Sequence, residues 1–234
     1  MFAQEYAIGF PQPSGVYPAG TVKQLALGHL VDAVDPYFGA GRLQYVQCQQ
    51  TASILTGTLV QADINGIITP LPVTGNTGAP FGVVVQDFIG SSVAAPTYGW
   101  MLVYGTVPVL YSVAATTGAM FGGTAGTASP TAAAGRQLLN ATCIGAATTA
   151  ITKNGNTTNA SKIVQLTNID GLFVGMAVSG AGIPGGATIA AINTLNQIVL
   201  SANCTATGIV TVTFTYTGYG LCKLANPFVQ GQIT

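Results

Sequence analysis

Charge is what this sequence has least of. Six Lys plus Arg and six Asp plus Glu make up 5% of 234 residues and cancel to zero, where an ordinary soluble domain carries about 25% charged residues. So few charges leave little to oppose self-association, and much of the surface is expected to lie against other subunits. The six cations, Lys23, Arg42, Arg136, Lys153, Lys162 and Lys223, stand singly. Phosphate recognition needs several on one face, so nucleic acid is not an expected partner. Hydrophobic residues reach 49%, yet Gly, Thr, Ala and Asn break every apolar run before the roughly 20 residues of a membrane span. No membrane partner is expected. Residues 1–6 carry no basic stretch leading into an apolar core, and the expectation is cytoplasmic synthesis followed by assembly.

Chemistry-bearing residues are equally sparse. His29 is the single histidine, with Asp32 and Asp35 near it. A metal-bound water or a catalytic triad needs more ligands, or a nucleophile beside a base. Glu5, Asp32, Asp35, Asp63, Asp87 and Asp170 are too dispersed in sequence to pair any two as general acid and base. Cys48, Cys143, Cys204 and Cys222 lack CxxC spacing; they read as buried reduced thiols, with one disulfide, between subunits or within one, as the alternative. Gly180-Ala181-Gly182-Ile183-Pro184-Gly185 matches GxGxxG. A dinucleotide site would require a helix starting there and an acid about 20 residues later. Pro184 and the β-branched Thr188-Ile189 argue against it. The reading is no cofactor, no metal, no small-molecule substrate and no enzyme.

What the chain does have is β pattern. Residues 1–20 stand apart: Pro11, Pro13 and Pro18 disfavour helix, and Phe2, Tyr6, Phe10 and Tyr17 are spaced along them. They read as an extended arm with aromatic anchors. The only helix candidate, residues 22–34, is weakened by Gly28. From residue 40 strand follows strand. Leu43 and Tyr45 alternate with glutamines, Asn65-Gly66 signals a hairpin turn through positive φ at both residues, and residues 81–89 and 99–107 read as buried strands. Pro108 marks an edge or bulge, and residues 114–135 read as a loop. Asn154-Gly155-Asn156-Thr157-Thr158-Asn159 reads as a polar turn that opens a distinct segment. That segment closes on Val210, Val212, Phe214 and Tyr216, which alternate with threonines and so put one face to core and the other to solvent. The fold class is all-β: a small barrel or sandwich main domain, an inserted β-sandwich-like module and an extended N-terminal arm.

The stretch Gly39-Ala40-Gly41-Arg42-Leu43-Gln44-Tyr45-Val46 with Ile54-Leu55-Thr56-Gly57-Thr58-Leu59-Val60 resembles the opening of capsid decoration (cement, head-stabilising) proteins of tailed bacteriophages. Phe81-Gly82-Val83-Val84-Val85, Tyr104-Gly105-Thr106-Val107, Gly135-Arg136 and Ile144-Gly145-Ala146-Ala147 follow in the order that family shows. Residues 170–201 resemble a repeat module of phage structural proteins. The resemblance implies a final strand near Gly220-Leu221-Cys222-Lys223-Leu224. The organisation is then an arm at 1–20, a discontinuous main β domain at 21–150 plus 217–234, and a module inserted at 151–216; two sequential domains with a loose tail are the alternative. It implies a virion protein on the capsid exterior that binds the major capsid protein, stabilises the coat lattice and forms a homotrimer; the spaced aromatics Phe2, Tyr6, Phe10 and Tyr17 of the proline-restricted arm are then the expected capsid-binding anchors. A receptor-binding or tail-associated virion protein contacting host glycans is the runner-up. A polysaccharide-degrading enzyme and a surface-layer or pilus protein are more distant readings.

Overall fold

Alternation of apolar and polar residues and the wealth of Val, Ile and Thr drive this chain into strands, and no helix occurs among the described residues. A computed structural model describes residues 25–35, 38–145, 150–193, 196–215 and 218–231. The arm anchors Phe2, Tyr6, Phe10 and Tyr17 lie outside them. The described residues fall into two units, one within 1–146 and 218–234, the other within 147–217.

The first unit is built on β1 (Leu30–Asp35), β2 (Gly39–Cys48), β3 (Leu59–Ala62), β4 (Ile67–Pro70), β5 (Gly82–Val84), β6 (Thr97–Leu110), β7 (Gly118–Gly122), β8 (Ala128–Ser129), β9 (Gln137–Gly145) and β16 (Tyr219–Val229). They form one sheet in the order β1-β2-β4-β3-β5-β6-β16-β9-β7-β8, and β2 also pairs with β6. That extra pairing closes β2, β4, β3, β5 and β6 into a small barrel. Val46, Val60, Ile68, Val84 and Met101, one from each strand, sit in one buried cluster with Ile54 and Phe88. The cluster is the barrel's filling, each such side chain being worth about 1.5–3 kcal/mol on full burial. Beyond the barrel, β6 continues for a second half that pairs with β16 at residues 104–110. Ser112 N donates to Ala128 O at 2.9 Å, which brings β8 back to the end of β6.

The second unit has six strands: β10 (Ala150–Thr157), β11 (Ile163–Leu166), β12 (Ala177–Ser179), β13 (Ile189–Asn193), β14 (Gln197–Leu200) and β15 (Gly208–Thr215). Their order is β12-β15-β10-β11-β14-β13. The two ends meet, because Val178 N donates to Ala187 O at 2.8 Å and Ile189 N to Met176 O at 2.9 Å. Curling the sheet onto itself removes free edges. Val164, Leu166, Met176, Ile198, Leu200, Val212 and Phe214 are buried in it.

Several local expectations are corrected. Asn154, Gly155, Asn156 and Thr157 are in β10 and not in a turn. Residues 114–135 hold β7 and β8. Residues 81–89 contain only the three-residue β5, although Phe81, Val83, Val85 and Phe88 are buried as expected. In the β3–β4 hairpin only Gly66 takes a positive φ, 75°. The turn has four residues, and the Asp63 carboxylate accepts from Asn65 N at 2.9 Å and Ile67 N at 2.8 Å. Pro108 lies inside the long β6, opposite Leu221. Tyr111 N donates to Gly218 O, so alternation along the pair makes Pro108–Leu221 a non-hydrogen-bonded site, where β16 asks no amide of the proline. Residues 30–34 of the one helix candidate are strand, within β1.

Candidate interaction surface

In β1 the residues alternate so that Ala33 and Asp35 are buried while Leu30, Asp32 and Val34 face outward. Antiparallel pairing sets Asp32 against Arg42 of β2. Arg42 Nε donates to Asp32 Oδ1 at 2.8 Å, and its Nη2 to Oδ2 at 3.3 Å. The guanidinium holds the Asp32 carboxyl below the usual carboxylate range, first through the hydrogen bond and then through its charge. Both side chains are well exposed, so the pair orients the hairpin more than it stabilises it.

Two adjoining hollows flank this ion pair. One, of about 460 Å³, is lined by the pair together with Val34, Ala40, Tyr104 and Asn226. The other, of about 360 Å³, is lined by Leu30, Pro80, Phe81, Met101 and Phe228. Arg42 and Asn226 line both, so the two make one groove on the first unit. Backbone irregularities shape it. The β2–β6 register shifts between Arg42 and Leu43, and the β16–β9 register shifts between Leu224 and Phe228. Asn226 sits inside that second shift with φ 52°. Bulges of this kind re-aim side chains at the edges of binding surfaces. Leu30 is 50% exposed, Val34 39% and Tyr104 48%. An apolar groove with one ion pair can grip a complementary protein surface; it brings no nucleophile and base together.

Asp35 and Asp87 each serve the fold singly. Asp35 is buried and accepts from Phe38 N at 2.8 Å. Asp87 accepts from both the amide and the hydroxyl of Thr56, at 2.7 and 2.8 Å. His29 lies just before β1, its carbonyl accepting from Tyr45 N at 2.8 Å. Among the described residues no three of His, Cys, Asp and Glu gather as a metal site. Residues 180–185 form a turn, with Ile183 N donating to Gly180 O and Gly182 at φ 73°, and no helix begins there.

The second unit carries a shallow polar cleft of about 270 Å³ lined by Thr152, Lys153, Asn154, Thr167, Asn168 and Thr211. Lys153 Nζ donates to Asn168 Oδ1 at 2.5 Å. Partial burial lowers the Lys153 pKa, and Asp170 opposes that shift.

Sequence reasoning passed over Leu30, Val34, Tyr104, Asn226 and Phe228. The signal for the first two was the two-residue alternation in 30–35, hidden beneath a helix candidate. Asn226 and Phe228 carried no comparable signal, because a register shift places them. No protein-family model, curated protein or solved structure matches this chain.

Proposed function

We propose that this chain is a capsid decoration protein of a tailed bacteriophage, which binds the major capsid protein on the particle exterior as a homotrimer and holds neighbouring coat subunits together. The observation that carries the reading is the groove beside Leu30, Val34 and Tyr104, apolar and exposed, in a chain with only 5% charged residues. Such a surface gains by being covered, and its polar rim of Asp32, Arg42 and Asn226 can fix the register of what covers it. The short sequence patterns shared with decoration proteins support the same reading. Function is then mechanical: expansion of the shell under genome pressure must break the buried contacts.

The test is decoration in vitro. Purified protein mixed with expanded, undecorated capsids should co-sediment in hundreds of copies per particle and add density at threefold or quasi-threefold positions. Light scattering should show a trimer. A stable monomer at every concentration, together with capsids left bare, would overturn the reading. A tail-associated, glycan-contacting role is favoured by one observation, the cleft of Thr152, Asn154, Thr167, Asn168 and Thr211, whose hydroxyls and amides suit sugar hydroxyls. Copy number separates the two, since a tail protein is present in tens of copies at most.

A further inference from the structure

Cys143 of β9 and Cys222 of β16 are direct register partners. Which kind of partners they are follows from the other side of β16. Tyr111 N donates to Gly218 O at 2.8 Å, which makes that pair hydrogen-bonded. Counting along the β6–β16 ladder, Val109–Gly220 and Val107–Cys222 are then hydrogen-bonded as well. The backbone groups of Cys222 therefore point toward β6 and away from β9. Cys143–Cys222 is a non-hydrogen-bonded pair beside the register shift between Leu221 and Cys222, and regular pairs of this kind, the closer of the two cross-strand spacings, have Cα atoms about 4.5 Å apart. A disulfide spans Cα separations of about 4.4–6.8 Å.

The side chains are arranged to suit. Both thiols are buried, at 1% and 0% exposure. A Cβ on Gly220 would come within 3.0 Å of Cys143 Sγ and 2.8 Å of Ala115 Cβ, so the glycine keeps open the space the sulfurs occupy. The Tyr111 hydroxyl lies 3.7 Å from Cys222 Sγ. Cys48 and Cys204 are buried and free like the other two, but Cys48 belongs to the barrel cluster and Cys204 to the second unit.

We propose that Cys143 and Cys222 form a built-in redox staple, joined by a peroxide-class oxidant into an intrachain disulfide that ties β9 to β16. Cys143 is the attacking sulfur. A hydrogen bond from the Cys222 thiol, with a second from Tyr111, brings its pKa down to about 6 despite burial. Burial and the neighbouring Cys143 push Cys222 up. The Cys143 thiolate attacks one peroxide oxygen, the O–O bond breaks, and the departing hydroxide takes up the thiol proton as water, leaving a sulfenic acid. The Cys222 sulfur then attacks Cys143 Sγ, the S–O bond breaks, and the leaving hydroxide carries off the Cys222 proton as a second water. Two thiols and one peroxide give one disulfide and two waters. Because both sulfurs are buried, reaction waits on local opening of the sheet and is slow.

The test uses the whole protein and hydrogen peroxide. After treatment under native conditions and removal of peroxide, thiols are alkylated in denaturant and the chain is digested without reductant. The expected result is a linked peptide pair carrying Cys143 and Cys222, with Cys48 and Cys204 alkylated and all four thiols recovered after dithiothreitol. The oxidised protein should melt at a higher temperature. Cys48→Ser should leave the link intact and Cys143→Ser should prevent it. Four alkylated thiols after oxidation, a link to Cys48 or Cys204, a link between chains, or sulfinic acid on Cys143 with Cys222 still free would each overturn the proposal. Mapping of the unsubstituted chain decides the matter even if a variant fails to fold.

Discussion

A Cβ built on Gly105 would stand 2.9 Å from the Cα of Gly41 and 2.8 Å from the carbonyl oxygen of Ala40. Strand β6 presses on β2 here at backbone distance, beside the bulge that shapes the groove. Gly105 also has φ 121°, where an L side chain is strained. Backbone atoms cannot rotate aside as a long side chain can. Gly105→Ala should cost about 3 kcal/mol from strain and overpacking together, seen as a lower urea midpoint with an unchanged m-value. A midpoint equal to that of the parent chain would show that the two strands have room to part.

The second unit leaves and rejoins the first on neighbouring strands, since Gly145 at the end of β9 is the register partner of Leu221 in β16. A short Gly-Ser linker can therefore replace residues 151–216 without stretching either strand, and loop-closure cost grows slowly with length. The shortened chain should unfold in one cooperative thermal transition. An aggregated product would mean that the two units depend on each other for folding.

Trp100, the one tryptophan in the sequence, is buried in the first unit and meets Tyr45 edge-on with ring centroids 5.0 Å apart. Its emission therefore reports that unit. Phe214 is fully buried in the second unit, and Phe214→Ala should destabilise it by about 3–5 kcal/mol. Circular dichroism of the variant should show an added early transition that tryptophan emission does not follow. Simultaneous loss of both signals would contradict independent cores.

Legibility followed the solvent. The alternation of Val210, Val212, Phe214 and Tyr216 with threonines was readable because one face is turned to the core: Val212 and Phe214 are fully buried, Val210 is half-buried, and Tyr216 lies outside the described residues. Asn154-Gly155-Asn156 misled because glycine has two uses. Gly155 is there for space, a Cβ on it falling 2.7 Å from Val212 Cγ2; the chain reverses only afterwards, where Ala160 takes φ 61°. Residues 114–135 misled for a similar reason, their small side chains permitting close strand approach, as at Gly123, where a Cβ would lie 2.6 Å from Ser112 Oγ. The groove could not be read in advance. Its walls come from β1, β6 and β16, and register shifts that have no periodic signature bring them together.

Tyr219 is buried, and burial, aided by the charge of Asp87, pushes its pKa up to about 12 from 10.0. The folded state thus favours the protonated phenol. Its contribution is full below pH 10, the unfolded value, and is lost as pH rises through 10 to 12. Over that window it amounts to roughly 2–3 kcal/mol. Stability measured by urea unfolding should fall across this range, and Tyr219→Phe should flatten the fall. An unchanged alkaline slope in the variant would assign the loss to other groups.

Residues 1–20 supply the most direct test of attachment. Pro11, Pro13 and Pro18 restrict the unbound chain, so less conformational entropy is lost when it is ordered on a partner. Phe2, Tyr6, Phe10 and Tyr17 are spaced so that each can enter a separate pocket, and aromatic anchors dominate protein interfaces. One buried aromatic is worth about 2 kcal/mol by transfer before ordering costs, and on the proposed reading the many copies on a shell would multiply a modest anchor. The rival is an arm that packs on its own domain and contributes to folding instead. Truncation of residues 1–20 distinguishes them. Attachment through the arm predicts a melting temperature within a few degrees of the full chain and at least tenfold weaker binding to undecorated capsids, the equivalent of about 1.4 kcal/mol. Packing on its own domain predicts the reverse, a lowered melting temperature with capsid affinity retained by whatever remains folded. Truncated protein that decorates capsids as tightly as the full chain would remove the arm from the binding surface and leave the groove of Leu30, Val34 and Tyr104 to carry it alone.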